Sequence, residues 1–150
     1  MVFIVGVDHI VQHNGHMNPE KSRAIEEFEL HLRDQVGSRA ARLLAEEFSE
    51  EALHRSNATT STVGDVSRRM GVDHLYCDPG SDQRIELGIE TPHQRELYWL
   101  QLLRPYLDLP IIFVCGDDHV PTFSRLLSIE GVGVQTVSTG WGRSLNPDRA

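Results

Sequence analysis

Strand-like apolar runs alternate with helix-like periodicities along the whole chain. That alternation restricts the fold more than any other feature. Val2-Phe3-Ile4-Val5 reads as a first strand, and the polar segment Gln12-His13-Asn14-Gly15-His16-Met17 follows it. Asn18-Pro19-Glu20 supplies an N-cap, a Pro at the first helical position and an acid in the first turn. Ile25, Phe28, Leu32 and Val36 then recur at helical spacing, with Gly37 as the stop. Arg42-Leu43-Leu44-Ala45-Glu46-Glu47-Phe48 would pass for helix in isolation, but its neighbours make it a second strand over 41–47. Ser49 caps a short helix over Glu50–His54, and Ser61-Thr62 starts another that ends at Gly71. Val72–Cys77 is a third strand, closed by the turn Asp78-Pro79-Gly80. Thr91-Pro92-His93-Gln94 has the form of a capping box. It opens a helix that carries Leu97, Leu100 and Leu103, with Trp99 beside them, and ends near Pro105. A fourth strand over 110–115 leads to a helix with Phe123, Leu126 and Leu127, ending at Gly131. Val132–Val137 alternates as a fifth strand. Residues 139–150 read as a loose tail, with Trp141 available to pack back.

This order predicts the α/β class. We expect a single three-layer domain over 1–138, with a mostly parallel sheet of about five strands, helices on both faces and a C-terminal tail over 139–150. Strand C-termini then share one edge of the sheet, and ligands bind along that edge where the strand order reverses. A length of 150 residues, 39% of them hydrophobic, is enough for one core.

The net charge of −8 argues against non-specific nucleic-acid binding, which needs a basic surface, and leaves a small-molecule or peptide substrate open. Two cysteines, Cys77 and Cys115, lie in or beside apolar runs and read as buried thiols rather than a disulfide. No stretch approaches the ~20 apolar residues of a membrane span. The start of the chain has neither the basic residues nor the long apolar core of a signal peptide. The expectation is a cytoplasmic protein with no membrane association, its homo-oligomeric state open.

Against this frame, Gly6-Val7-Asp8-His9 and Gly116-Asp117-Asp118-His119 share one placement. Each follows a strand and precedes a helix. Gly-x-x-His is weak by count: with 12 Gly and 8 His in 150 residues, chance supplies about 0.6 matches. The third match, Gly71-Val72-Asp73-His74, reads as a decoy, because its His opens a strand at the opposite edge. Glu46-Glu47 puts an acid at the end of the second strand, and adjacent strand residues face opposite sides, so at most one of the two serves a given site.

His9 and His119, with Glu46 or Glu47, could hold a divalent transition metal, or they could be caps and buried hydrogen-bonded histidines. One of the glutamates could be a general base or simply solvated. Asp8, Asp117 and Asp118 suit support of a histidine from behind or helix capping. His13 and His16 complete an H-x3-H-x2-H spacing with His9 but read as a polar loop over the site. Arg84, after the third strand, could hold an anionic group. Arg95 and Glu96 sit in a helix first turn and suit either the site or a surface ion pair.

The paired Gly-x-x-His motifs with a strand-end glutamate between them resemble the TraB/TIKI group of the erythromycin-esterase/ChaN-like superfamily. Ile112-Phe113-Val114-Cys115-Gly116-Asp117-Asp118-His119, followed by Leu126-Leu127 and Gly131-Val132, is similar to that group's closing strand–GxxH–helix–Gly–strand unit. The resemblance covers a dozen or so residues in motif, and the chain is shorter than full family members. It implies a metal-dependent hydrolase using manganese, cobalt or zinc. His9, His119 and Glu46 or Glu47 would be the ligands, and Glu46 and Glu47 catalytic candidates; Arg84 joins the catalytic candidates from its own place after the third strand. Gly6, Asp8, Gly116, Asp117 and Asp118 would surround them. The substrate would be a peptide, ester or phosphoester. A non-catalytic module that sequesters a small ligand or a partner in the same pocket is the alternative.

Overall fold

Five parallel strands form one sheet in the order β3-β2-β4-β1-β5, in a computed structural model that describes residues 1–146 and Asp148. The strands are β1 (Val2–Val7), β2 (Leu43–Glu46), β3 (Asp73–Tyr76), β4 (Ile111–Gly116) and β5 (Val134–Trp141). The helices are α1 (Pro19–Arg39), α2 (Glu50–Arg55), α3 (Thr62–Met70), α4 (Ser81–Leu87), α5 (Pro92–Leu103) and α6 (Val120–Ile129). No helix among the described residues is long and apolar enough to cross a membrane.

The two faces of the sheet carry separate cores. On one, Phe28, Leu32 and Val36 of α1 and Val63 and Val66 of α3 meet Phe3, Val5, Leu44, Ile112 and Val114. On the other, Trp99, Leu100 and Leu103 of α5 and Phe123 and Leu127 of α6 meet Ile4, Ala45, Ile111 and Phe113. β1 and β4 are fully buried, as neighbouring strands in a sheet covered on both faces must be. The expected three-layer α/β architecture is therefore present.

From β1 the chain crosses β4 to reach β2, and from β4 it crosses β1 to reach β5. The two central strands thus send the chain in opposite directions. Their C-terminal ends, which carry the two Gly-x-x-His motifs, form the point where the strand order reverses.

Several boundaries differ from expectation. Gly37 does not stop α1; the helix runs on to Arg39 and closes at Ala40, whose φ of 51° is left-handed and whose N–H reaches back to Val36 and Gly37. A helix interior tolerates one Gly when its remaining buried stripe is strong. α4 was not expected, because Asp78-Pro79-Gly80 looks like a turn alone; Gly80 is instead its N-cap. β5 runs to Trp141, four residues past the expected end at Val137, so the tail is shorter than 139–150. Trp141 stacks on His31 at 4.6 Å and leans on Phe28 at 5.8 Å, which anchors that extension. Within the expected tail, residues 147, 149 and 150 lie outside the described residues.

Candidate active site

β2 ends by aiming its two glutamates to opposite sides. Glu46 is fully buried on the α1/α3 face, and Glu47, 3% exposed, turns toward α5. Glu47 is the acid that joins the paired motifs. Its Oε1 accepts from the backbone N–H of Gly116 at 2.8 Å and lies 3.6 Å from His9 Nε2. Its Oε2 is 2.6 Å from Arg95 Nη2 and 3.6 Å from His119 Nε2. One carboxylate thus faces both motif histidines, one per oxygen. A cavity of about 260 Å³ opens here, lined by Val7, Asp8, His9, Glu47, Arg95, Gly116, Asp118, His119 and Asn146.

Close approach favours glycine at both motif positions. A Cβ on Gly116 would stand 3.0 Å from His9 Nε2, and one on Gly6 only 2.5 Å from Asp117 Oδ1.

Each histidine is held from behind by a different group. His9 Nδ1 lies 2.5 Å from Gln12 Oε1. Asp8 caps the short 3₁₀ turn that presents His9, its Oδ1 accepting from Ile10 N–H at 3.1 Å. His119 Nδ1 lies 2.8 Å from Glu96 Oε2, which also accepts from Thr122 Oγ1 at 2.6 Å. That hydrogen bond raises the His119 pKa above its usual 6.5; burial opposes it, and the charge of Glu47 assists. The folded state therefore holds this proton more tightly than the unfolded chain. The resulting stabilisation is complete below pH 6.5 and is lost as pH rises through the folded value. Glu96→Gln should lower the His119 titration midpoint followed by NMR, and an unchanged midpoint would remove Glu96 as the cause.

Arg95 is fixed by a second acid. Asp78 Oδ1 receives Arg95 Nε at 3.1 Å, Arg95 Nη2 at 2.9 Å and Trp99 Nε1 at 3.0 Å. Asp78 Oδ2 takes Arg84 at 2.6 Å. Arg84 thus meets Asp78 and not Glu47, and it lines an adjoining cavity of about 260 Å³ that shares His9, Glu47 and Arg95 with the first. His13 lines the same cavity, stacked on Phe48 with ring centroids 6.0 Å apart. Its Nδ1 accepts from Gly15 N–H at 3.1 Å, and burial, aided by Lys21, lowers its pKa to about 4. Asp117 ties the end of β5 to the second motif, accepting from Gly140 N–H at 2.9 Å and pairing with Arg143 at 3.0 Å. Asn146 donates to Asp8 Oδ2 at 3.0 Å and itself lines the cavity.

Glu46 lies on the other side of the sheet. It bonds Gln12, Ser61 and His74, at 3.0, 2.8 and 2.5 Å. His74 does open β3, as expected of the decoy motif, but its imidazole reaches forward to Glu46 rather than standing apart.

A bound divalent ion needs several donors converging on one point. No group of three His, Cys, Asp or Glu side chains is arranged to do so among the described residues. Both Glu47 oxygens already bond Gly116 and Arg95. As placed, these residues do not fit the ion that the family resemblance implies. The two thiols offer no nucleophile either. Cys77 and Cys115 are buried and free, and burial pushes both pKa values well up.

No family model, curated protein or solved structure matches this chain.

Sequence spacing gave no sign of Gln12, which sits in a polar segment. Glu96, raised from sequence as either a site residue or a surface ion pair, is 2% exposed and shares the buried stripe of Leu100 and Leu103 on α5. Asp78 was hidden inside a turn signature.

Proposed function

We propose that the chain is a hydrolase in which His9 accepts a proton from water and His119 donates one to the leaving group. The observation that carries this reading is the placement of Glu47 between the two imidazoles, each Nε2 3.6 Å from its own carboxylate oxygen. The histidines are supported asymmetrically. The acceptor oxygen of Gln12 takes a hydrogen from His9 Nδ1, which leaves the His9 Nε2 lone pair for the cavity. The Glu96 carboxylate favours the protonated form of His119. An amide acceptor behind one imidazole and a carboxylate behind the other suit base and acid roles.

Among the described residues the cavity lining offers no Ser, Thr, Cys or Lys side chain, and Glu47 is engaged by Gly116 and Arg95; the proposed reaction takes water as its nucleophile. His9 removes the water's proton as oxygen attacks the carbonyl or phosphoryl centre. His119 passes its Nε2 proton to the departing atom. Glu47 stabilises positive charge on His9 as it forms, and Arg95 offsets the charge of Glu47 itself. The substrate class is a small ester, amide or phosphoester.

Purified protein assayed on p-nitrophenyl acetate, p-nitrophenyl phosphate and an amino-acid p-nitroanilide tests the reading. Hydrolysis of at least one should fall by about 10²–10⁴-fold in His9→Gln and in His119→Gln, and hold in His54→Gln, a substitution away from the cavity. Turnover equal in all three variants would sink it. Turnover that vanishes with EDTA and returns with manganese, cobalt or zinc would replace it with the metal-dependent reaction. Specific ligand retention without any turnover would favour a binding module.

A further inference from the structure

A line of polar side chains, buried at Gln12, Glu46 and Ser61, runs from half-exposed His9 at the cavity through the sheet edge to its far face. Its first link is His9 Nδ1 to Gln12 Oε1 at 2.5 Å. The second is Gln12 Nε2 to Glu46 Oε1 at 3.0 Å. Ser61 Oγ and His74 Nε2 close it on Glu46 Oε2 at 2.8 and 2.5 Å. Gln12 and Glu46 are both fully buried. Their neighbours on this face include Leu44, Val11 and Val63, a setting that an apolar side chain would fill at lower cost. The polar line therefore needs a reason beyond packing.

Its geometry supplies one. A side-chain amide has a donating and an accepting end, and a map of its neighbours decides which way it points. The Gln12 NH₂ group faces Glu46 Oε1 and, at 3.5 Å, the backbone carbonyl of Glu47. Both are acceptors. Turned over, the amide would set oxygen against oxygen and lose both bonds. The amide oxygen must then face His9, and the hydrogen between them belongs to His9 Nδ1. Glu46 is held as an acceptor in turn by the Ser61 hydroxyl and the His74 ring. Ser61 itself is fixed as the N-cap of α3, accepting from Gly64 N–H at 2.9 Å.

We propose that Gln12 and Glu46 are positioning residues that hold neutral His9 as its Nδ1–H tautomer and keep the Nε2 lone pair facing Glu47 and the cavity. A free neutral histidine in water favours the opposite tautomer, so the network works against the intrinsic preference of the ring. The consequence for turnover rests on His9 being the base of the proposed hydrolase; the tautomer itself does not.

Long-range ¹H–¹⁵N correlation spectra of histidine-labelled protein, recorded with His9 neutral, test this directly. The wild-type spectrum should place His9 Nδ1 in the protonated region and Nε2 in the unprotonated region. Gln12→Met keeps the volume and removes both amide ends; it should move His9 toward Nε2–H. Glu46→Gln should give a mixture, because Gln12 can then turn over. If either variant fails to fold, the wild-type spectrum still decides: Nε2–H or averaged nitrogens there overturn the proposal. An unchanged Nδ1–H signal in both folded variants also overturns it. Where hydrolysis is measurable, kcat should fall in proportion to the lost Nδ1–H population while KM holds. A tautomer shift in a protein that hydrolyses nothing keeps this proposal and removes the hydrolase.

Discussion

Glu47→Ala is expected to lower the unfolding free energy by about 3 kcal/mol, near the lower end for removing one partner of a buried ion pair. The carboxylate is 3% exposed and receives both the Arg95 guanidinium at 2.6 Å and the Gly116 N–H at 2.8 Å. Truncation leaves the Gly116 donor buried without a partner and removes half of the negative charge facing Arg95. Glu47→Gln, which keeps an acceptor for Gly116, should cost less. Urea unfolding at unchanged m-value reads the difference, and a Glu47→Ala loss below about 1 kcal/mol would show that this carboxylate is not the hub of the edge. On the proposed reaction, Glu47→Gln should also reduce kcat/KM by about 10²–10⁴-fold, because the carboxylate facing His9 Nε2 no longer stabilises its developing charge.

Trp99→Ala is expected to cost about 3–5 kcal/mol, the range for a fully buried aromatic. The ring is completely buried, with its centroid 5.5 Å from Phe113 and 5.3 Å from Phe123. It also packs edge-on to His119 at 4.8 Å and donates to Asp78 at 3.0 Å. Trp99→Phe separates these contributions. It keeps most of the packing and loses the N–H bond, for about 1 kcal/mol. Asp78 and Arg95 then lose part of their fixed orientation, so the phenylalanine variant should impair turnover more than its small stability loss suggests. Equal destabilisation by both variants would mean that the hydrogen bond, not the ring, dominates.

Five of the six described helices and the five strands were legible, most from local signals and β2 from its neighbours; α4 was not. Asn18-Pro19 and Thr91-Pro92 do cap α1 and α5, and the capping box at Thr91 and Gln94 is formed in both directions. The errors fall where a local signal was overruled. Gly37 lies within α1 because the stripe of Phe28, Leu32 and Val36 is buried against the sheet. β5 outlasts its alternating pattern because Val7 pairs with Trp141 at the far end of β1.

The site divides in the same way. Sequence by itself placed His9, His119 and a glutamate at strand ends on one edge of the sheet, since strand–motif–helix order is a one-dimensional property; that the three strands are neighbours came from the structure. Only the tertiary structure chose Glu47 over Glu46, through the pleat that sends adjacent side chains to opposite faces. It also brought in Gln12 and Asp78 and gave Glu96 its role, through the pairings Gln12–Glu46, Asp78–Arg95 and Glu96–His119, which span 34, 17 and 23 residues of chain. Such pairings leave no spacing to read, because they are fixed by which helix lies over which strand end. The paired Gly-x-x-His motifs located the edge; the buried acids behind them decide what each histidine can do with a proton.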